Sequence, residues 1–402
     1  MSAPESVRSP LPAVLWPLLF GNFVIGTGVM VVPGTLNEIS TSLDVSVATA
    51  GQLISVGALL MCIGAPLMAA LVAGWDRRRL LALSMLWYGL LHFASMASPS
   101  FAVLLPLRVI TMIAPAIFTP QAAACISLLV PPAQRGRAIT FVFLGWSVAS
   151  VLGMPLGAYV GGTLGWQAAF GAVAVLSIAS GLWVWRAMPD GVKPPALSAA
   201  AWRETFRSPA LMLCVAVTLL YSAGQFVLFS YFAPYYKYKI GITPGELSLL
   251  FMWFGLFGFI GNAMMSRYID RVGAPLAVML GVAAMALSFF LWPMGTSIVL
   301  AAVISIPWAL GCFSSNSAQQ ARLLGIAPAL ASASIALNSS AMYAGQAVGA
   351  AAGGWMIAHG GMEKLHWAGL VLLLASMAIS AVATHHDKAR SALQAARSGG
   401  PP

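Results

Sequence analysis

Long apolar stretches separated by short polar breaks run the whole length of the chain. A helix that crosses the hydrocarbon core of a bilayer needs about 20 mostly apolar residues. Stretches of that order lie at about 12–36, 50–73, 80–98, 101–129, 138–162, 166–186, 209–235, 246–266, 275–294, 296–324, 329–358 and 366–386. The pattern predicts twelve transmembrane helices. A transmembrane barrel would instead show alternating strands of about 10 residues, and continuous runs such as 81–97 and 276–292 do not alternate. The first apolar stretch is too long for a cleaved signal and many more follow it, so it reads as a span.

Composition agrees with the pattern. Of 402 residues, 60% are hydrophobic and only 7% are charged, where a soluble globular chain carries about 25% charged residues. That excludes a cytosolic enzyme, a disordered chain and a disulfide-stapled secreted domain, and leaves an all-α integral membrane protein. Cys62, Cys125, Cys214 and Cys312 fall within apolar stretches without a CxxC spacing, so they read as small apolar residues. The net charge of +10 would suggest nucleic acid in a soluble protein. Its distribution says otherwise. With the N-terminus in the cytoplasm, the inner side collects Arg8, Arg77 to Arg79, Arg135, Arg137, Arg186, Lys193, Arg203, Arg207, Arg267, Arg271, Arg322, Lys388, Arg390 and Arg397. Lys237, Lys239 and Lys364 fall outside, and Arg108 falls within a span. This bias places both termini in the cytoplasm and makes the basic excess a topology signal. Nucleic acid is not an expected partner.

The longest cytoplasmic break, 187–207, holds Pro189, Pro194 and Pro195 and divides the chain into a first half, 1–186, and a second half, 208–402, of six spans each. The halves echo one another. Gly153, Gly157, Gly161 and Gly162 match Gly345, Gly349, Gly353 and Gly354 at a constant offset of 192. Asp76-Arg77 matches Asp270-Arg271 at an offset of 194, and Phe118-Thr119-Pro120-Gln121 resembles Phe313-Ser314-Ser315-Asn316 at 195. Such echoes point to two pseudo-symmetric six-helix bundles, parallel repeats of the kind found in one class of secondary transporters, with substrate near mid-membrane where the halves meet.

Small residues at every fourth position let two helices approach closely. Pro155, between Gly153 and Gly157, bends its helix and frees a backbone carbonyl, which suits a hinge. The loop Gly74-Trp75-Asp76-Arg77-Arg78-Arg79 and its second copy Arg267-Tyr268-Ile269-Asp270-Arg271-Val272-Gly273 place a carboxylate among arginines at equivalent points. On these residues the chain resembles the major facilitator superfamily over essentially its whole length. The Gly153–Gly162 segment and the run from Pro131 to Ala138 are similar to its 12-helix drug:proton antiporter and arabinose-efflux-permease-like branches. The resemblance implies the major facilitator fold, alternating access, and cytoplasmic closure by Asp76 and Arg77 with Arg135 or Arg137 as partner, with Asp270 and Arg271 as the second copy. It also implies a bacterial-type inner (plasma) membrane. The chain departs from the family pattern at Val72, where the loop usually has Gly, and after Arg108, where Thr111 and Met112 replace a Gln-Gly pair.

Arg108 lies about 7 residues into its span, roughly 10 Å deep at 1.5 Å per residue, and intramembrane charges usually face a cavity. Glu38, at the end of the first span, is its expected partner in proton coupling or substrate binding; His92 reads first as a hydrogen-bonded structural histidine and only second as a proton candidate. Cavity-lining residues are expected among the polar and aromatic groups at mid-span: Asn22, Thr27, Thr119, Gln121, Trp146, Tyr221, Gln225, Trp308, Asn316, Gln319, Asn338, Tyr343 and Gln346. This neutral, amide-rich set suits a drug-like molecule, a sugar or a nucleoside better than an anion. The leading expectation is proton-coupled efflux of a small neutral or amphipathic solute by a monomer without cofactor or metal. Uptake or efflux of a metabolite is the first alternative and a non-transporting receptor or scaffold a remote one. No GxxxxGK[ST] run supports ATP drive, and the candidates for catalysis, His385, His386 and Asp387, stand at the start of a polar tail.

Overall fold

The computed structural model describes residues 11–72, 74–131, 134–193 and 199–397. Arg8, Pro132, Ala133, Pro194 and Pro195 lie outside the described residues. Those described form helices and short connections, with no strand among them. The helices are α1 (Leu15–Gly34), α2 (Leu36–Ser42), α3 (Gln52–Leu71), α4 (Arg77–Met96), α5 (Phe101–Thr111), α6 (Ile113–Leu129), α7 (Arg135–Val148), α8 (Met154–Leu164), α9 (Trp166–Ala187), α10 (Ala199–Arg207), α11 (Pro209–Phe229), α12 (Phe232–Ile240), α13 (Pro244–Val272), α14 (Ala274–Leu291), α15 (Ile298–Ile326), α16 (Ala331–Ala358) and α17 (Leu365–Arg397). Ten helical stretches are long and apolar enough to cross a membrane. The expected third and eleventh spans are α4 and α16, of 20 and 28 residues. They are long enough, but α4 opens on three arginines and α16 is diluted by Gly, Ser, Asn and Gln.

Large apolar side chains are exposed in stripes, and uncharged polar groups are buried within an otherwise apolar core, a combination unlike that of a soluble protein. Along α3, Leu59, Ile63, Leu67 and Leu71 form an exposed stripe, each 49–62% accessible, while Asn22, Thr218, Gln319 and Asn338 are fully buried. Lipid solvates the first set, and the second must find partners within the protein.

Several expected spans are broken where proline dictates. Pro115 has no N–H for the Thr111 carbonyl, and the fourth span splits into α5 and α6 at Met112. Pro155 leaves the Val151 carbonyl without its helical donor, and the chain responds with a π-helical turn at Ala149–Gly153 between α7 and α8, a common site of π-bulges being one where the ladder is interrupted. At the start of α13, Thr243 and Glu246 form a capping box: the Glu246 carboxylate accepts from the Thr243 N–H at 2.9 Å and the Thr243 hydroxyl accepts from the Glu246 N–H at 3.3 Å.

The chain forms two compact units, Met1–Ala196 with Ser230–Leu256, and Leu197–Phe229 with Phe257–Pro402. The boundary departs from a simple cut at 187–207, because residues 230–256 pack into the first unit. There the Tyr231 ring covers Gly51 and Pro244 fills the space over Gly162. The Ser248 hydroxyl donates to the Pro155 carbonyl at 2.9 Å, and Gly255 lies against the Ser150 carbonyl. Phe232 stacks on Phe251 at 5.1 Å.

One helix crossing recurs in both units. In the first, a Cβ on Gly153 would overlap the Thr27 side chain, and one on Gly157 would lie 3.3 Å from Val31. In the second, a Cβ on Gly345 would strike the Leu219 carbonyl and one on Gly349 the Ala223 carbonyl. Leu219 and Ala223 follow Thr27 and Val31 by the same 192 residues that separate the glycines, so α11 meets α16 in the register in which α1 meets α7 and α8. Backbone cannot yield as a side chain can. Gly349→Val is therefore expected to destabilise by about 1–3 kcal/mol, the usual cost of overpacking, seen as a lower melting temperature in detergent. Gly325→Ala, where nothing lies within 4 Å, should leave it unchanged.

Candidate functional site

The buried neutral groups of the first unit form a chain of hydrogen bonds. The Asn22 amide donates to the Val142 carbonyl at 3.3 Å, the Thr119 hydroxyl donates to the Asn22 Oδ1 at 2.8 Å, and the Trp146 indole N–H reaches Thr119 at 3.4 Å. This links α1, α6 and α7. The second unit builds its own version. The Thr218 hydroxyl donates to the Asn338 Oδ1, whose amide donates to the Asn316 Oδ1 at 3.3 Å, linking α11, α15 and α16. Asn338 follows Trp146 by 192 residues, so the two networks use equivalent helices with different residues. In the same unit the Trp308 indole donates to Gln225 at 3.4 Å, and the Gln319 amide donates to the Cys214 carbonyl. Thr27 turns back to the Phe23 carbonyl at 2.8 Å. Gln121, Tyr221 and Gln346 are buried and Tyr343 is half-buried.

Arg108 is buried in the last turn of α5, and its guanidinium donates to the Gly28 and Val29 carbonyls at 3.0 and 3.2 Å. The cause lies in α1. Pro33 has no N–H, so the Val29 carbonyl four residues earlier loses its helical donor, and Arg108 supplies one. The expected pairing of Arg108 with Glu38 is not present in this structure, because the guanidinium is committed to backbone. Beside it, the Tyr88 hydroxyl donates to the Ile25 carbonyl at 3.3 Å, and the Nδ1 of His92 lies 2.8 Å from the Tyr88 carbonyl. The Nε of Arg108 and the Nε2 of His92 are enclosed without a protein partner.

Glu38 lies beyond the break at Thr35, in the first turn of α2, outside the span. Its Oε2 is enclosed without a hydrogen-bond partner beside a cavity of about 50 Å³ lined by Asn37, Ala158, Lys237, Ile242, Pro244 and Leu247. That volume holds about three waters. Burial pushes the Glu38 carboxyl above the ordinary range, with a backbone hydrogen bond and the Lys237 ammonium pulling against it. The charge that Glu38 faces is thus Lys237, on α12.

The Asp-Arg loop is a docking point, with partners other than those expected. One Asp76 oxygen accepts from the Arg79 N–H at 3.2 Å and caps α4; the other accepts from the Gly191 N–H at 2.6 Å. The buried Arg77 donates to the Val72 and Trp75 carbonyls at 2.9 and 2.6 Å. Arg78 pairs with Asp190 at 2.7 Å and lies over the Trp185 ring. Arg135 and Arg137 are exposed at the start of α7, and neither is the partner of Asp76 here. The second copy differs. Asp270 and Arg271 are exposed within the last turn of α13, and α14 begins after Gly273 at φ +82°.

Arg322, read from sequence as a cytoplasmic residue, is buried and donates to the Ser380 hydroxyl at 2.9 Å, the Ser380 carbonyl at 3.3 Å and the Thr384 hydroxyl at 2.9 Å. The spacing of Ser380 and Thr384, one helical turn apart, was the available signal. Among the described residues no three His, Cys, Asp or Glu side chains form a metal-ligating group.

Removing Arg108 leaves the Val29 carbonyl without a donor, at a cost of about 1–3 kcal/mol. Arg108→Ala should lower the melting temperature in detergent, and Pro33→Ala, which restores an N–H to Val29, should recover part of the loss in the double variant. Equal losses with and without Pro33 would contradict this account of the contact.

The sequence matches the family description Major Facilitator Superfamily over residues 18–334 and 217–401. It is 27% identical to the uncharacterized MFS-type transporter YbcL of Bacillus subtilis, over 89% of this chain and 93% of that one. It is 32% identical to a chloramphenicol resistance protein of Streptomyces lividans, over 67% of this chain and 70% of that one. In fold it resembles the crystal structure of a bacterial homolog of the human lysosomal transporter Spinster, with a TM-score of 0.75 and 17% identity over 96% of this chain and 98% of that one. Apolar helices with a buried polar interior, the glycine crossings and these matches together make the chain an integral membrane protein of the major facilitator superfamily.

Proposed function

We propose that this protein is a proton-driven exporter of small neutral or amphipathic solutes. It would work by alternating access through twelve spans in two six-helix bundles, with both termini on the cytoplasmic side of the plasma membrane. The observation that carries the solute class is the chemistry of the interior. Asn22, Thr119, Trp146, Thr218, Asn316 and Asn338 are amides, hydroxyls and an indole, and the buried guanidiniums of Arg108 and Arg322 are occupied by backbone and hydroxyl oxygens. Groups of this chemistry, present in each unit, match a solute with uncharged hydrogen-bonding groups and aromatic faces. The relative named as a chloramphenicol resistance protein supports export of a toxic compound.

Glu38 is the group proposed to carry the coupling proton. It is a carboxyl whose proton affinity burial raises, beside a cavity with room for water. Because its affinity is raised, the protonated form is favoured below that shifted value and the ionised form above it.

Expression in an efflux-deficient strain should raise tolerance to a subset of neutral amphipathic toxic compounds. Everted vesicles should accumulate these compounds only while the proton gradient stands, and a protonophore should abolish uptake. A broad compound panel without a single gradient-dependent substrate would defeat the proposal. Asn338→Ala should reduce transport several-fold while leaving the amount of membrane-inserted protein unchanged.

Glu38→Gln should flatten the pH dependence. Wild-type transport should fall as the pH rises through the raised Glu38 value, and the stability lost on ionising a buried carboxyl should follow the same limb. The variant should lose both dependences, read as transport rate and melting temperature against pH. A variant that keeps the wild-type profile would remove Glu38 from coupling.

A further inference from the structure

The segment 199–207 reads Ala-Ala-Ala-Trp-Arg-Glu-Thr-Phe-Arg. On a helix of 3.6 residues per turn, Ala201 and Thr205 share one face. Trp202 and Phe206 lie to one side of it, Glu204 to the other, and Arg203 and Arg207 opposite. In the structure this is α10. Thr205 is fully buried and returns its hydroxyl to the Ala201 carbonyl at 2.8 Å. Ala201 packs on the cluster of Leu211, Cys214, Leu323 and Leu330 in the second unit. That fixes which face is covered and therefore which faces are free.

The Trp202 and Phe206 rings stack at 6.0 Å with 26° between their planes. Phe206 is 56% accessible, and Arg203, Glu204 and Arg207 are all exposed. Only Ser208 separates α10 from α11, a helix long and apolar enough to cross a membrane. The exposed aromatic flank is therefore held where a span enters the bilayer. Water is a poor solvent for the ring face and hydrocarbon a poor one for the guanidiniums. The headgroup layer suits both, with the rings at the acyl boundary and the arginines among the phosphates.

We propose that α10 is an interfacial helix that binds an anionic phospholipid, with Arg203 and Arg207 on the headgroup phosphate and the Trp202–Phe206 pair against the upper acyl chains. Charge selects the lipid. The two arginines outweigh Glu204, and each basic residue at a membrane surface favours anionic lipid by about five-fold at low salt.

The test reads the lipid that touches this helix. Full-length protein carrying Phe206→p-benzoylphenylalanine is reconstituted in vesicles that are mostly phosphatidylcholine with a minor share of phosphatidylglycerol. It is irradiated, and the lipid adducts are identified by mass. Phosphatidylglycerol should be captured well above its mole fraction, and raised salt should reduce the excess. With Arg203→Gln and Arg207→Gln added, capture should fall to the mole fraction, while Arg203→Lys with Arg207→Lys should retain the excess and shows that the helix still docks. Glu204→Gln should increase it. Capture in proportion to mole fraction by the wild-type helix overturns the proposal. So does an excess that survives loss of both arginines, or capture of a protein instead of lipid. None of these outcomes bears on the transported solute or on Glu38.

Discussion

A carbonyl oxygen released from a helix inside a bilayer has no water to turn to, and that constraint decides where this chain puts its charges. Pro33 strips the Val29 carbonyl of its donor, and Arg108 answers it across from the neighbouring helix. An arginine at mid-helix costs about 2.5–3.5 kcal/mol to insert, and an unpaired carbonyl in hydrocarbon costs several kcal/mol more. Each defect alone is unfavourable. Together they offset one another in part, since a guanidinium has donors only and a carbonyl is an acceptor only. Arg322 directs its donors to the hydroxyls of Ser380 and Thr384 and to the Ser380 carbonyl, and at Pro155 the backbone forms a π-helical turn rather than a break.

The chain solves the close-packing problem twice with one register and the polar problem twice with different residues. Gly153 and Gly345, with their partners Thr27 and Leu219, keep a constant spacing because backbone approach depends on the absence of a Cβ at fixed points on both helices. The hydrogen-bonded networks need only that a donor meet an acceptor. Trp146 in one unit and Asn338 in the other can therefore stand at equivalent places. The loops diverge further. Asp76 leaves its helix, caps the next one and holds Gly191, whereas Asp270 remains inside α13 with its carboxylate exposed. An echo in sequence thus carries over to structure where geometry is strict and lapses where it is loose.

This difference also accounts for what could be read from the sequence. The helices follow from apolar length, and the glycine crossings from a repeat at one offset, because both depend on residue type at fixed spacing. The buried amides were recognised as interior groups for the same reason. The partners of the charges were not legible. Opposite charge points Arg108 to Glu38, but the competing acceptor is a carbonyl exposed by a proline on another helix, visible only if Pro33 is read for what it removes. A basic residue near a helix end reads in sequence as a topology signal, and only Ser380 and Thr384 on α17 show that Arg322 is also buried and hydrogen-bonded. The packing of residues 230–256 into the first unit depends on Tyr231, Pro244 and Gly255 meeting Gly51, Gly162 and Ser150, contacts far apart in the chain that no local pattern encodes.

The commitment of Arg108 to backbone carbonyls bears on the coupling role proposed for Glu38. A carboxyl bound to a guanidinium would be held ionised and would give up its proton readily. A carboxyl with one enclosed, unpartnered oxygen and an ammonium only across a small cavity is held the other way, toward the protonated form. In the proposed coupling such a group would take a proton where proton activity is high and release it when a rearrangement brings water or the Lys237 ammonium closer. Glu38 also stands beyond the end of α1, beside a cavity with room for water. Under the proposed function the ionisable step would be kept at Glu38, outside the span, and the interior left to neutral groups suited to a neutral solute.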